Sequence, residues 1–167
     1  MGTAQLQGWS ANAAALVVAF VVTYGAAALG GAGSASSVSF YDALHRPAWA
    51  PSPAVFGPVW TALYTLMAVS AFVVARDVGW RAALVPLAAY LAQLLLNAGW
   101  TWLFFAWHRG AGAFAEMIVL ALVIVLNIVL FWRIRPIAGA LLLPYLAWVC
   151  FATLLTWSVW RANPGLL

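Results

Sequence analysis

Lysine is absent from this 167-residue chain, and only three acidic residues accompany its seven arginines. Charged residues make up 6% of the sequence and hydrophobic ones 67%, which excludes an ordinary soluble domain. No run of basic residues exists, so the formal charge of +4 reads as membrane topology and lipid headgroup contact. Nucleic acid is therefore not an expected partner. Cys150 stands alone within an apolar stretch, which leaves no disulfide framework and no thiolate metal site. There is no Ser-His-Asp set, no clustered carboxylate pair and no metal-ligand spacing. The only imidazoles are His45 and His108, placed at one membrane side by five alternating spans. Lone interfacial histidines are usually structural or solvated, so haem ligation by this pair is the minor reading.

What the chain has instead is length in hydrocarbon. Five apolar stretches, at about 9–32, 54–75, 84–107, 112–132 and 138–160, are each long enough to cross a bilayer. The expected fold is all-α: an integral membrane five-helix bundle forming a single domain over residues 1–167. Ala26 to Ala28 imitate a signal-peptide cleavage site. The run is too long for one, and no Lys or Arg precedes it, so a retained span is expected. Its small residues, Gly25 to Ala28, Gly30 and Gly31, suit either close helix approach or room for a ligand. Arg76, Arg81, Arg133 and Arg135 fall in the loops after the second and fourth spans, against Arg46, Arg109 and Arg161 at the other end. That bias places the N-terminus inside.

Arg46 to Tyr64 organises the rest. Pro47, Pro51 and Pro53 fix φ and remove donors, so residues 46–53 cannot form an ordinary helix. Ser52 then suits an N-cap and Pro53 the first helical position. Phe56, Trp60, Tyr64 and Met67 recur near helical spacing as a stripe on one face. Packing within the bundle explains such a stripe as well as a binding wall does. Upstream, residues 32–38 read as a flexible connection. Ser39 to Asp42 fit a capping box ahead of a short helix to about His45, with Asp42 and Arg46 spaced for an ion pair. A loop at about 33–52 that carries ordered aromatics is expected to be a lid.

Gln93, Asn97, Trp100 and Thr101 continue one face of the third span. Amides in hydrocarbon require partners, supplied either by another helix or by a ligand. Glu116 lies near the start of the fourth span, where pairing with Arg109 at the interface is the favoured reading over proton handling. Asn127 reads as helix–helix glue and Trp132 as an interfacial anchor.

The stretch Pro47-x-Trp49-x-Pro51, then Pro58-x-Trp60-x-x-Leu63-Tyr64, resembles the TspO/MBR family of tryptophan-rich sensory and translocator proteins. Ser52 departs from it by separating prolines that are usually adjacent. Two further blocks follow the family in order: Gln93 to Phe105, and Pro144-Tyr145-Leu146-Ala147-Trp148 through Phe151-Ala152-Thr153, Leu155 and Trp160-Arg161. Tyr41 and Leu44 match its loop segment. Thr156 and Trp157 depart from eukaryotic members, which weakens a sterol-recognition pattern. Tryptophan at 157 is a bacterial feature of the family, so a bacterial cell membrane is the expected location.

The resemblance implies that porphyrin or haem-type tetrapyrroles, and similar planar apolar molecules, are ligands, with no cofactor required. Carried over by motif, the ligand-facing positions are Phe56, Gly57, Trp60, Tyr64, Asn97, Trp132, Ala152, Leu155 and Trp157, under a lid bearing Tyr41 and Trp49. Three activities follow from the resemblance. The leading one is a receptor or regulator. The second is light-dependent porphyrin breakdown using Trp60 and Trp157. The third is transport, ranked last because no buried charge pair marks an ion-coupled path. A homodimer is also implied, with Ala88, Ala92 and Gly99 offering small residues for close approach.

Overall fold

The computed structural model describes residues 3–35 and 37–167, and no strand occurs among them. Helix α1 spans Thr3–Gly33, α2 Ser37–Ala43, α3 Pro53–Ala82 and α4 Leu84–Thr101. A π-helical turn at Trp102–Ala106 follows, then α5 at Gly110–Ile134, α6 at Pro136–Ala140 and α7 at Leu143–Ala162. Five of these segments are long and apolar enough to cross a membrane: Asn12–Gly33, Pro53–Ala82, Leu84–Ala106, Gly110–Ile134 and Pro136–Ala162. The protein is an integral, multi-pass membrane protein, and the five expected spans are present to within a few residues at most ends.

The helices close into a ring. Helix α1 packs between α3 and α4, α4 continues onto α5, and α5 onto α7. Helix α3 completes the circuit against α6 and α7. Inward positions form a continuous core through Leu63, Met67, Leu94, Leu120, Ile124 and Tyr145. Outward positions are equally apolar: Val21, Leu84, Leu95, Leu122 and Leu154 are 62–66% exposed, as lipid-facing surface should be.

Local chemistry sets the breaks. Ser52 has the extended backbone of an N-cap and Pro53 opens α3, although the Ser52 hydroxyl makes no capping bond. Near its other end α3 kinks at Gly79, whose φ of 75° suits a residue without a Cβ. Beside that kink, Asp77 pairs with Arg135 at 2.6 Å and with Arg76 at 3.2 Å, tying α3 to the start of α6.

The segment joining α1 to α3 is more ordered than its composition suggests. Of the flexible connection expected at 32–38, residues 32 and 33 still belong to α1, residue 36 lies outside the described residues, and α2 begins at Ser37. Ser39 therefore sits inside α2 and is not its cap. The Asp42–Arg46 pair does form, at 3.7 Å. Residues 45–47 and 50–52 are irregular around a turn at 48–49, closed by a 2.9 Å bond from the Ala50 N–H to the Pro47 carbonyl. This segment folds over one end of the bundle, the lid end. There Tyr41 and Leu44 bury themselves with Phe104, Ala113, Leu155 and Val159.

Candidate functional site

A cavity of about 420 Å³ lies under the lid, among α1, α3 and α4. Helix α3 contributes Pro53, Phe56, Gly57, Trp60 and Tyr64, the aromatic stripe read from the sequence. Helix α4 adds Asn97, Trp100 and Thr101, the π-helical turn adds Phe105, and the lid adds Tyr41. Helix α1 supplies Ala27, Gly30 and Gly31, with Ser34 just beyond it.

The small residues of α1 serve both purposes left open by the sequence. A Cβ added at Gly30 would lie 3.4 Å from the Ala98 Cα and the Thr101 Oγ1, so this glycine permits close approach to α4. At Gly31 and at Gly57 such an atom would meet nothing within 4 Å. Both are exposed and both line the cavity, as does the exposed Pro53, so its wall is open beside these residues.

The walls are rings. Trp60 and Tyr64 lie 5.3 Å apart between centroids with their planes 30° apart, and Trp60 meets Tyr145 edge-on at 6.2 Å. Trp100 stacks on Phe104 at 5.6 Å and meets Phe105 edge-on at the same distance. Trp100 and Phe104 stand at the i,i+4 spacing of an ordinary helix, and the wider winding of the π-helical turn brings Phe105, at i+5, toward the same face. Phe104 thus turns inward and is buried while its neighbour Phe105 lines the cavity.

Polar groups are few and directional. The Tyr64 hydroxyl donates to the Asn97 Oδ1 at 2.6 Å, and the Asn97 amide donates to the Tyr145 hydroxyl at 3.2 Å. Asn97 is therefore both an interhelical link and a cavity residue. Two buried donors on the wall, the Tyr41 hydroxyl and the Trp100 indole N–H, have no hydrogen-bond partner among the described residues. Buried donors in that state favour an occupant with acceptors.

The motif-derived positions divide. Phe56, Gly57, Trp60, Tyr64, Asn97 and Tyr41 line this cavity, whereas Trp132, Ala152, Leu155, Trp157 and Trp49 do not. Ala152 and Leu155 are buried in the core, the latter beneath the lid. Trp157 is 48% exposed on the outside of α7. At 3.6 residues per turn Trp157 is rotated roughly 200° from Leu155, so the two cannot face one site. Trp132 is 47% exposed on α5, and its indole covers Gly139 of α6. Trp49 packs edge-on against Phe151 at 5.8 Å.

One expectation, the pairing of Glu116, is corrected by geometry. Glu116 does not pair with Arg109; both its carboxylate oxygens are buried without a hydrogen-bond partner among the described residues. The Gln93 amide is likewise buried and unpartnered among them. Asn127 does join helices, donating to the Pro86 carbonyl at 3.0 Å. The His108 ring stacks on Phe40 at 4.0 Å, and the His45 backbone is held by Asn163, so neither imidazole belongs to the cavity wall. No group of three or more potential metal-ligating side chains occurs among the described residues.

Ala27, Gly30, Gly31, Ser34, Pro53, Trp100, Thr101 and Phe105 are cavity residues absent from the motif-derived set. For the α4 members a signal was present: Trp100 and Thr101 follow Asn97 at i+3 and i+4, which places them on its face.

A model of the TspO/MBR family matches residues 14–161. The chain belongs to the TspO/MBR family. It is 38% identical over 152 residues to Protein CrtK of Rhodobacter capsulatus, covering 87% of this chain and 93% of that one. It is 38% identical over 149 residues to a tryptophan-rich sensory protein of Cereibacter sphaeroides, covering 89% and 92%. The human translocator protein is 36% identical over 128 residues, covering 75% of this chain and 76% of its own. Membership in a family with both sensory and translocator names fixes the architecture and leaves the ligand to be argued from the cavity.

Proposed function

We propose that this TspO/MBR protein is a membrane receptor or regulator that binds a planar, largely apolar ligand of the tetrapyrrole class. The observation that carries this reading is the cavity itself. Trp60, Tyr64, Trp100, Phe56 and Phe105 present ring faces and edges around about 420 Å³, and none of its lining residues is charged. That volume falls within the range of roughly 300–1,000 Å³ common to small-molecule sites. Ring walls favour stacking and burial of a flat molecule, and the partnerless donors of Tyr41 and Trp100 suit acceptors at its edge. The open space beside Gly31 and Gly57 leaves room for a ligand larger than the cavity. A homodimer is part of the proposal, since Ala88 and Ala92 face outward on α4; cross-linking in lipid that yields only monomer would contradict it.

The test is titration of the purified protein in lipid nanodiscs with protoporphyrin IX, in darkness and under illumination. Saturable binding in the dark, competed by a second flat apolar compound, supports the receptor reading. Loss of porphyrin absorbance only in the light supports turnover. Of the tryptophan pair expected for that chemistry, Trp60 alone lines the cavity.

A further inference from the structure

We infer that Gln93 and Asn127 hold an internal water molecule in the seam between α4 and α5, apart from the aromatic cavity. Neither residue lines that cavity, so the inference stands whether or not the receptor reading holds. Gln93 is 1% exposed and Asn127 is 0% exposed. The Gln93 Oε1 and Nε2 and the Asn127 Oδ1 have no hydrogen-bond partner among the described residues. The remaining amide atom, the Asn127 Nδ2, donates to the Pro86 carbonyl at 3.0 Å and anchors that side chain on α4.

Register brings the free atoms together. Helices α4 and α5 belong to consecutive spans and run antiparallel, and the rings of Tyr90 and Phe131 stack across their seam at 5.9 Å. Gln93 follows Tyr90 by three residues, and Asn127 precedes Phe131 by four. On antiparallel helices that makes them the next facing pair, one turn nearer the lid. Helical side chains lean toward the N-terminus of their own helix, so these two lean toward each other. No bond joins the two amides, however.

Neighbouring polar groups are already engaged. The Tyr90 hydroxyl pairs with the Thr23 hydroxyl at 2.6 Å, and the Asn97 amide serves Tyr64 and Tyr145. Glu116 stands roughly 16 Å from Asn127 along α5, out of reach. The free atoms themselves select the occupant. The two oxygens need donors and the amide nitrogen needs an acceptor, and water supplies both. A bare cation would suit the oxygens and oppose the amide hydrogens, and an apolar molecule would satisfy none of them. Buried polar groups left unmet are costly, and internal water is their common partner. Gln93 is one helical turn from Asn97, so a water held here ties α5 to the helix that carries the cavity amide.

The experiment reads water–protein nuclear Overhauser effects on the full chain in nanodiscs of deuterated lipid, with isotope-labelled glutamine. Gln5→Asn and Gln7→Asn together leave Gln93 as the one labelled side-chain amide. Its hydrogens should show a direct cross-peak to water, distinguished by sign from chemical exchange. Asparagine labelling of the wild type should show the same water at the Asn127 amide, without any substitution in the core. Asn127→Leu should abolish the Gln93 cross-peak, because it removes the second acceptor. Absence of a water cross-peak at Gln93 would overturn the inference, whether the amides then meet each other or a cation. A cross-peak at Gln93 without one at Asn127, or one that survives Asn127→Leu unchanged, would also overturn the shared site.

Discussion

Asn163 binds the lid residue His45 as a second backbone strand would. Its Oδ1 accepts from the His45 N–H at 2.9 Å, and its Nδ2 donates to the His45 carbonyl at 3.0 Å. The same Nδ2 donates to the Val159 carbonyl at 2.7 Å, so the end of α7 and the lid share one amide. Together with Tyr41 and Leu44 buried against Phe104, Leu155 and Val159, and Trp49 edge-on to Phe151, this contact makes the segment from α2 to α3 a docked cover.

Asn163→Ala should loosen that cover without unfolding the bundle. It removes the partners of two backbone groups, a loss of about 1–3 kcal/mol where they stay shielded from water. Amide exchange over residues 40–50 should accelerate on the order of ten- to hundredfold, while α5 and the membrane part of α7 keep their protection. Hydrogen exchange read by mass spectrometry checks this, and unchanged lid exchange would show that the aromatic contacts alone hold it.

Trp60 and Trp157 should respond differently to the same change. Trp60 lines the cavity, and stacking and burial of one ring contribute about 1–2 kcal/mol, so Trp60→Ala should weaken porphyrin binding about tenfold. Trp157 is half-exposed on the outer face of α7, so Trp157→Ala should bind within about twofold of wild type. Fluorescence titration of both variants checks the contrast. Equal tenfold losses would return α7 to the site.

That contrast shows what was legible in the sequence. The five spans were, because twenty-odd apolar residues in a row have few alternatives to a membrane helix. The α3 wall was legible as well: Phe56, Trp60 and Tyr64 recur every four residues, and their spacing survives folding. The α7 positions were carried over by motif alone, and the rotation between Leu155 and Trp157 separates them. The π-helical turn at Trp102–Ala106 has no composition signal, yet it decides that Phe105 lines the cavity. The His45–Asn163 contact spans 118 residues and depends on where α7 ends, which local patterns do not record.

Asn97→Leu should destabilise the bundle while keeping its shape. The substitution leaves the Tyr145 hydroxyl, on a fully buried ring, without its amide donor and strips the acceptor from Tyr64. Interhelical polar contacts in membranes contribute on the order of 0.5–2 kcal/mol, which sets the expected loss. Adding Tyr145→Phe should recover part of it, because the orphaned hydroxyl then disappears. A double-mutant cycle on thermal denaturation in detergent measures the coupling. Strict additivity would show that Asn97 and Tyr145 do not depend on each other.

Gly139→Ala should be among the costly single-methyl additions. Helix α6 lies so close to α5 that a Cβ at Gly139 would stand 2.8 Å from the Trp132 Cε3 and 3.0 Å from both the Trp132 Cβ and the Ile128 carbonyl oxygen. The indole is half-exposed and can turn away; the carbonyl and the Cβ cannot, so the helices must separate. Overpacking of this kind costs about 1–3 kcal/mol. Trp132→Ala combined with Gly139→Ala removes one of the three contacts, so its rescue should be partial. Gly25 is the control: a methyl there meets nothing within 4 Å, and alanine is the better helix former by about 1 kcal/mol. Gly25→Ala should therefore melt at or above the wild-type temperature and Gly139→Ala clearly below it. If both variants melt together, the close packing of α6 on Trp132 does not hold in the bilayer.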